Sequence, residues 1–194
     1  MRPLIDTVDH LLDLHSMQTP SPPLALAGTT NKCLALAEAV GVPPYIVVDP
    51  GHAEGTRLRD YGAFADEDRP HSALLVECGQ HWMADSRAVA IDAALRFLGV
   101  FEVVEPAWLG PRLGPPLTPQ RTIDVTAAVT VESDDFRFLE DYRGLETVAH
   151  AGTPIARDDR RTVTTPYDDC VLIMPTRRIR RGQTAVRLGR YRTP

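Results

Sequence analysis

The chain has 194 residues, 43% of them hydrophobic, which is enough for one ordinary domain or for a small domain with an appendage. Its formal net charge is -5, so it has no overall basic field to hold nucleic acid or an anionic membrane surface. We expect neither as a partner. No apolar run approaches the roughly 20 residues of a membrane span, and the first residues lack the apolar segment of a signal peptide, which predicts a cytoplasmic protein. The cysteines, odd in number and widely separated, predict reduced thiols.

Three short apolar runs in the first half of the chain are bounded by turn residues. They read HLLDLH at 10–15, PYIVVD at 44–49 and ALLVEC at 73–78. Such runs are typical of strands that are buried on both faces of a largely parallel sheet. We therefore predict three strands of this kind.

Two helical patterns accompany these strands. The first covers 30–40 and the second covers 84–98, and each ends before a glycine. Asp85 or Ser86 is the expected N-cap of the second helix. Because strands and helices alternate, the first half is predicted to be an α/β domain.

A proline-rich stretch separates the two halves of the sequence. Five prolines lie between 105 and 120, and neither a helix nor a strand is expected to run through them. We therefore predict an α/β domain at 1–104 followed by a stiff linker at 105–120. From 121 to 194 the hydrophobic period becomes two, as in TIDVTAAVTVE and TAVRLGR. This alternation predicts a small all-β domain, either a barrel or a sandwich.

Two polar side chains stand at the ends of predicted strands. His15 closes LLDLH and Glu77 nearly closes LLVEC, and ligand sites in open α/β sheets form beyond the carboxyl ends of strands. Spacing alone favours a structural interpretation, in which His15 is a hydrogen-bonded histidine at a strand terminus and Glu77 is a solvated carboxylate. A carboxylate inside an apolar strand is, however, costly to bury unless it is paired or functional, and burial raises its pKa toward that of a general base.

The motifs around these residues resemble those of a known family. LLDLHSM, followed some sixty residues later by LLVECGQHW and then by a β-rich tail ending RRGQTAVRLGR, resembles the succinylglutamate desuccinylase/aspartoacylase family of zinc-dependent deacylases. The resemblance implies a zinc-carboxypeptidase-like α/β domain with a partly parallel, mixed sheet, followed by a β-domain. It also implies hydrolysis of the amide bond of an N-acylated amino acid or related small acid. By this resemblance His15 is a Zn²⁺ ligand and Glu77 is the catalytic base.

Other residues have expected roles in such a site. Asp13 lies on the same strand face as His15, where it is placed either to accept the free ring N–H or to act as a plain strand-end carboxylate. Arg57 and Arg59 are candidates for binding a small anionic substrate, although such arginines are more often solvated. His81 is a candidate for lining the pocket, although a surface histidine is the commoner outcome.

The sequence also departs from the family pattern. The family takes its other two zinc ligands from an H-x-x-E motif near the N-terminus, and no such motif occurs here. His52 and Glu54 in GHAEG offer the same two residue types but at the spacing H-x-E, so we do not expect them to replace the motif. We therefore expect the C-terminal part of a deacylase that is inactive alone and relies on a separate N-terminal segment or on a homo-oligomer. The alternative is a non-catalytic remnant or an assembly module of the same fold.

Overall fold

The structure is a computed structural model that describes residues 2–51, 55–115 and 119–193. The chain divides into two compact units. The first unit comprises Met1–Gln18 with Pro23–Thr122, and the second comprises Thr19–Pro22 with Ile123–Pro194. In the part of the chain that the structure describes, no helix is long and apolar enough to cross a membrane.

The first unit is built of strands and helices. In chain order, its elements are α1 (Arg2–Ile5), β1 (His10–Met17), β2 (Leu24–Ala27), α2 (Asn31–Val40), β3 (Tyr45–Val48), two short 3-10 turns (Leu58–Asp60 and Gly62–Phe64), β4 (Ser72–Gln80), α3 (Ala84–Val100), α4 (Pro106–Leu109) and a last 3-10 turn (Gly110–Arg112). The predicted strands correspond to β1, β3 and β4, and the predicted helices correspond to α2 and α3. The last two short helical elements lie inside the proline-rich stretch.

The predicted N-cap of α3 is wrong. The helix begins at Ala84, and Met83 occupies the cap position. The Ser86 hydroxyl instead donates to the Gln80 carbonyl at 2.6 Å. The side chain is therefore used to tie the helix to the end of β4, and it does not cap the helix.

The sheet of the first unit is mixed. Its strand order is β1-β4-β2-β3, with β1 parallel to β4, β2 parallel to β3, and β2 antiparallel to β4. Strand β4 is buried on both faces as predicted, whereas the same expectation for β1 is wrong, because much of β1 is exposed. The reason is position: β1 is the outermost strand of this sheet, and α3 covers only one of its faces.

The two faces of this sheet have different neighbours. Alternate residues of β4, including Leu74 and Val76, pack with Leu36 of α2 and Phe97 of α3 in one hydrophobic core. Because successive side chains of a strand point to opposite faces, Glu77 lies on the face away from these helices. The segment that contains the first two 3-10 turns also contacts β4.

The second unit is all-β. Its strands are β5 (Arg121–Thr130), β6 (Phe136–Phe138), β7 (Thr147–Val148), β8 (Pro154–Asp158), β9 (Arg161–Thr164), β10 (Cys170–Ile173) and β11 (Thr184–Tyr191). One antiparallel set has the order β5-β11-β10-β7, and the other has the order β6-β8-β9. Both sets contribute to one core, which contains Ile155, Leu172 and Val186. The predicted fold class, α/β followed by a small all-β part, is confirmed.

Candidate active site

The pairing of β1 with β4 places His15 beside Glu77. The two are register partners in parallel strands, so their side chains leave the sheet on the same face. His15 Nδ1 lies 3.9 Å from Glu77 Oε1, and His15 Nε2 lies 3.0 Å from Asp13 Oδ1. The structure thus brings together the three residues that the sequence predicted for the centre of the site.

Asp13 is the carboxylate closest to the outer nitrogen of the His15 ring. Its Oδ1 lies 3.0 Å from Nε2, close enough for an ion pair with a protonated ring. The other ring nitrogen, Nδ1, is the one nearest to Glu77. The two carboxylates therefore stand on either side of the imidazole.

Glu77 is a buried acid with spare acceptor capacity. The residue is 6% exposed, so the interpretation as a solvated carboxylate does not hold. Burial raises the pKa of Glu77, while the charges of His15 and Arg57 act in the opposite direction. Its Oε2 atom is buried and has no hydrogen-bond partner among the described residues. A carboxyl group in this state is suited to accept and release a proton.

His81 lies at the carboxyl end of the same strand pair. Its Nδ1 is 2.6 Å from the Ser16 hydroxyl, and its backbone N–H donates to the Met17 carbonyl at 2.9 Å. The side chain is exposed, and its charge lowers the pKa of Glu77 less than the charges of His15 and Arg57 do. The partner Ser16 was not predicted, although it directly follows His15 in the quoted motif.

An ion pair holds Arg57 close to the candidate base. Arg57 Nη1 lies 2.8 Å from Asp49 Oδ2, and both side chains are almost completely buried. The positive charge of Arg57 also lowers the pKa of Glu77, against the effect of burial. Asp49 was missed in the sequence, where the available signal was a carboxylate directly after the buried strand YIVV.

Arg59 is fully buried beneath the surface. Its Nη2 donates to the Asp49 carbonyl at 2.6 Å and lies 3.3 Å from Asp60 Oδ2. Burial lowers the pKa of this guanidinium, although Asp60 opposes the shift. These contacts fix the segment that carries both arginines, and substrate binding by Arg57 or Arg59 stays a prediction.

Lys32 fixes the stretch that follows the two arginines. Its ammonium group donates to the backbone carbonyls of Ala63, Asp66, Arg69 and His71. Lys32 is the only lysine of the sequence, and it ties residues 63–71 to the start of α2. Nothing in the local pattern NKCLAL indicated this role, because all four acceptors lie more than thirty residues away.

The described residues do not form a complete zinc site. A protein zinc site uses at least three protein donors, and no group of three or more His, Cys, Asp or Glu side chains within residues 2–51, 55–115 and 119–193 is arranged to hold a metal ion. His15 offers one imidazole, and Glu77 offers a carboxylate. His52 and Glu54, considered above as replacements, lie outside the described residues.

Comparison of the fold identifies its relatives. Succinylglutamate desuccinylase from Vibrio parahaemolyticus matches 93% of this chain with a TM-score of 0.66 and 20% sequence identity. The chain has the fold of a succinylglutamate desuccinylase. The succinylglutamate desuccinylase/aspartoacylase from Rhodobacter sphaeroides matches 98% of the chain, with a TM-score of 0.66 and 18% identity. The product-bound ectoine utilization protein EutE from Ruegeria pomeroyi matches 97%, with a TM-score of 0.61 and 21% identity.

These likenesses confirm the fold that the motif resemblance predicted. No protein-family model matches the sequence, and no curated protein matches it either. The chain spans 53% of the Vibrio parahaemolyticus protein, 61% of the Rhodobacter protein and 60% of the Ruegeria protein. The chain therefore spans between about half and about three fifths of the length of these proteins.

Proposed function

We propose that this chain contributes the general base and one zinc ligand to a deacylase that hydrolyses the amide bond of an N-acylated amino acid or a related small acid. The observation that carries the proposal is the pair His15 and Glu77, with Nδ1 and Oε1 3.9 Å apart and the second carboxylate oxygen buried without a partner. The fold likeness to proteins named as a desuccinylase and an ectoine utilization protein supports the same reaction class.

In this proposal each residue of the site has one task. Glu77 accepts a proton from the attacking water and returns it to the leaving amine, which a buried carboxylate with a raised pKa does well. Asp13 orients the ring of His15 through Nε2. Arg57, anchored by Asp49, attracts the negative charge of the substrate.

The proposal includes zinc ligands from outside the described residues. Zinc requires at least three protein donors, and the described residues supply one imidazole and one carboxylate, the latter acting as the base. A cytoplasmic location belongs to the proposal as well, supported by Cys33, Cys78 and Cys170, which are buried free thiols.

Zinc content is the decisive measurement. The purified 194-residue protein should hold little zinc after dialysis against a mild chelator and should show no deacylase activity. Fusion to an N-terminal segment that carries a strand and H-x-x-E should raise the zinc content to about one per chain. One zinc per chain in the unfused protein would contradict the proposal that outside ligands are needed.

Two substitutions in the fusion protein separate the roles of ligand and base. His15→Ala should lose the zinc, because it removes a ligand. Glu77→Gln should keep the zinc and lower turnover by about 100-fold or more, since a general base contributes about 10²–10⁴ in rate. If the fusion protein bound no zinc at all, the chain would instead be a non-catalytic module of this fold.

A further inference from the structure

A groove of about 680 Å³ lies in the first unit between α2, α3 and α4. It is lined by Val40 at the end of α2, Val100 at the end of α3 and Leu109 of α4. Helix α4 approaches α3 closely because residue 99 is glycine, where an added Cβ would lie 2.5 Å from Leu109 Cδ2. Val40 and Leu109 are buried, so close packing holds the apolar lining of the groove in place.

The size and lining of the groove suit a small organic ligand. Ligand pockets in proteins have volumes of about 300–1,000 Å³ and are mostly apolar, with a few polar groups that fix the orientation of the ligand. The groove lies within this range, and its lining also includes Val104, Pro106 and Leu113. It is separate from the candidate active site, because α2 and α3 pack on the face of the sheet opposite to Glu77.

The charged groups of the groove leave an excess of negative charge. Arg96 lines the groove, but its Nε lies 3.0 Å from Asp92 Oδ2 and its Nη2 donates to the Gly114 carbonyl at 3.0 Å. Glu102 and Glu105 also line the groove, and both are exposed. Within residues 2–51, 55–115 and 119–193, neither carboxylate has a hydrogen bond or an ion pair. Because Asp92 balances Arg96, the charges of the two glutamates are uncompensated.

We propose that this groove binds a small organic cation that has an apolar body. The apolar body packs against Val40, Val100 and Leu109, where binding removes apolar surface from water. The cationic group lies on the solvent side of the groove and pairs with the carboxylates of Glu102 and Glu105. A neutral ligand of the same shape lacks these ion pairs, and an anionic one is repelled. The site does not depend on the proposed function.

Three probes of one shape test the charge preference. Phenylbutylammonium, phenylbutanol and phenylbutyrate share an apolar body and are a cation, a neutral molecule and an anion at neutral pH. Each is titrated into the full 194-residue protein, and the backbone amide shifts are followed by NMR. The cation should bind about tenfold more tightly than the alcohol, because each exposed ion pair contributes up to about fivefold in affinity. The shifts should cluster at residues 99–113.

Three results of this titration would overturn the proposal. The first is equal affinity for the three probes, which would remove the charge preference. The second is the absence of cation binding. The third is a set of shifts centred on His15 and Glu77, which would place the cation at the candidate active site.

A double variant tests the two carboxylates. Glu102→Gln with Glu105→Gln removes both charges and keeps the side-chain lengths at two exposed positions. Binding of phenylbutylammonium should fall about tenfold, to the level of phenylbutanol, while binding of phenylbutanol is unchanged. Cation binding equal to that of the parent would contradict the role of the glutamates.

A matched pair of tryptophan variants tests the location. Ala39 is an exposed residue of α2 that lines the groove, so Ala39→Trp should fill the space and abolish binding of the cation and the alcohol alike. Ala35→Trp places the same side chain one turn earlier on α2, at an exposed position outside the lining, and should bind both probes as the parent does. Circular dichroism checks the fold, and the glutamine variant tests the proposal independently should Ala39→Trp fail to fold. Equal binding by the two tryptophan variants would overturn the assigned site.

Discussion

Replacement of Lys32 by methionine should destabilise the first unit by about 3 kcal/mol. The Lys32 ammonium donates to four carbonyls, of which Ala63 at 3.1 Å and His71 at 2.7 Å are partly buried. Hydrogen bonds to a charged group contribute about 1.5–3 kcal/mol each, and the lower figure for these two gives about 3 kcal/mol. The bonds to Asp66 and Arg69 are exposed, and we assign them no contribution to the free energy of unfolding. Methionine keeps the length and helix propensity of lysine, so the loss is attributable to the ammonium.

Urea unfolding of Lys32→Met measures this loss, and for a chain of this size it corresponds to a fall of about 6–12 °C in Tm. Digestion by a glutamate-specific protease gives a local reading, because Glu67 lies between Asp66 and Arg69, whose carbonyls accept from Lys32, and we expect faster cleavage when these bonds are lost. The control is Arg87→Met, which removes an exposed cation from α3 and should stay within about 0.5 kcal/mol of the parent. A loss below about 1 kcal/mol in Lys32→Met, with unchanged cleavage, would refute the assigned role of the four contacts.

Two further predictions concern Glu77 and Gly189. Burial raises the pKa of Glu77, so the folded state holds the proton of this residue more tightly than the unfolded state does. The stability that Glu77 contributes is therefore fully present below its unfolded pKa and is lost as the pH rises through its folded pKa. Glu77→Gln should therefore gain Tm relative to the parent at pH 8 but not at pH 4, and parallel pH profiles would contradict this. An added Cβ at Gly189 would lie 2.7 Å from Ile173 Cδ1 and 2.8 Å from the Asp124 carbonyl, so Gly189→Ala should lose about 1–3 kcal/mol in urea unfolding. Gly110→Ala, where a Cβ meets open space, should change stability by less than about 0.5 kcal/mol, and equal stability of the two variants would refute the predicted clash.

The sequence predicted most elements of the first unit but not their arrangement. Runs such as ALLVEC and the helical period of 84–98 are local patterns, so β4 and α3 were found at nearly their observed positions. Strand β2 was missed because LALA is only four residues long and follows three nearby prolines. Its antiparallel pairing with β4 was missed as well, since strand direction depends on contacts between segments about fifty residues apart.

For the candidate site, the sequence by itself determined which chemical groups stand at the strand ends. His15 and Glu77 were found from their positions in apolar runs and from the resemblance of their motifs, and both inferences need only local sequence. The tertiary structure decided the rest: that Glu77 is buried, that Asp49 anchors Arg57, and that β1 is the outermost strand. The physical reason is that burial, ion pairing and strand order depend on which distant segments pack together. A local pattern specifies the side chains that are available, and packing sets their solvation and their partners.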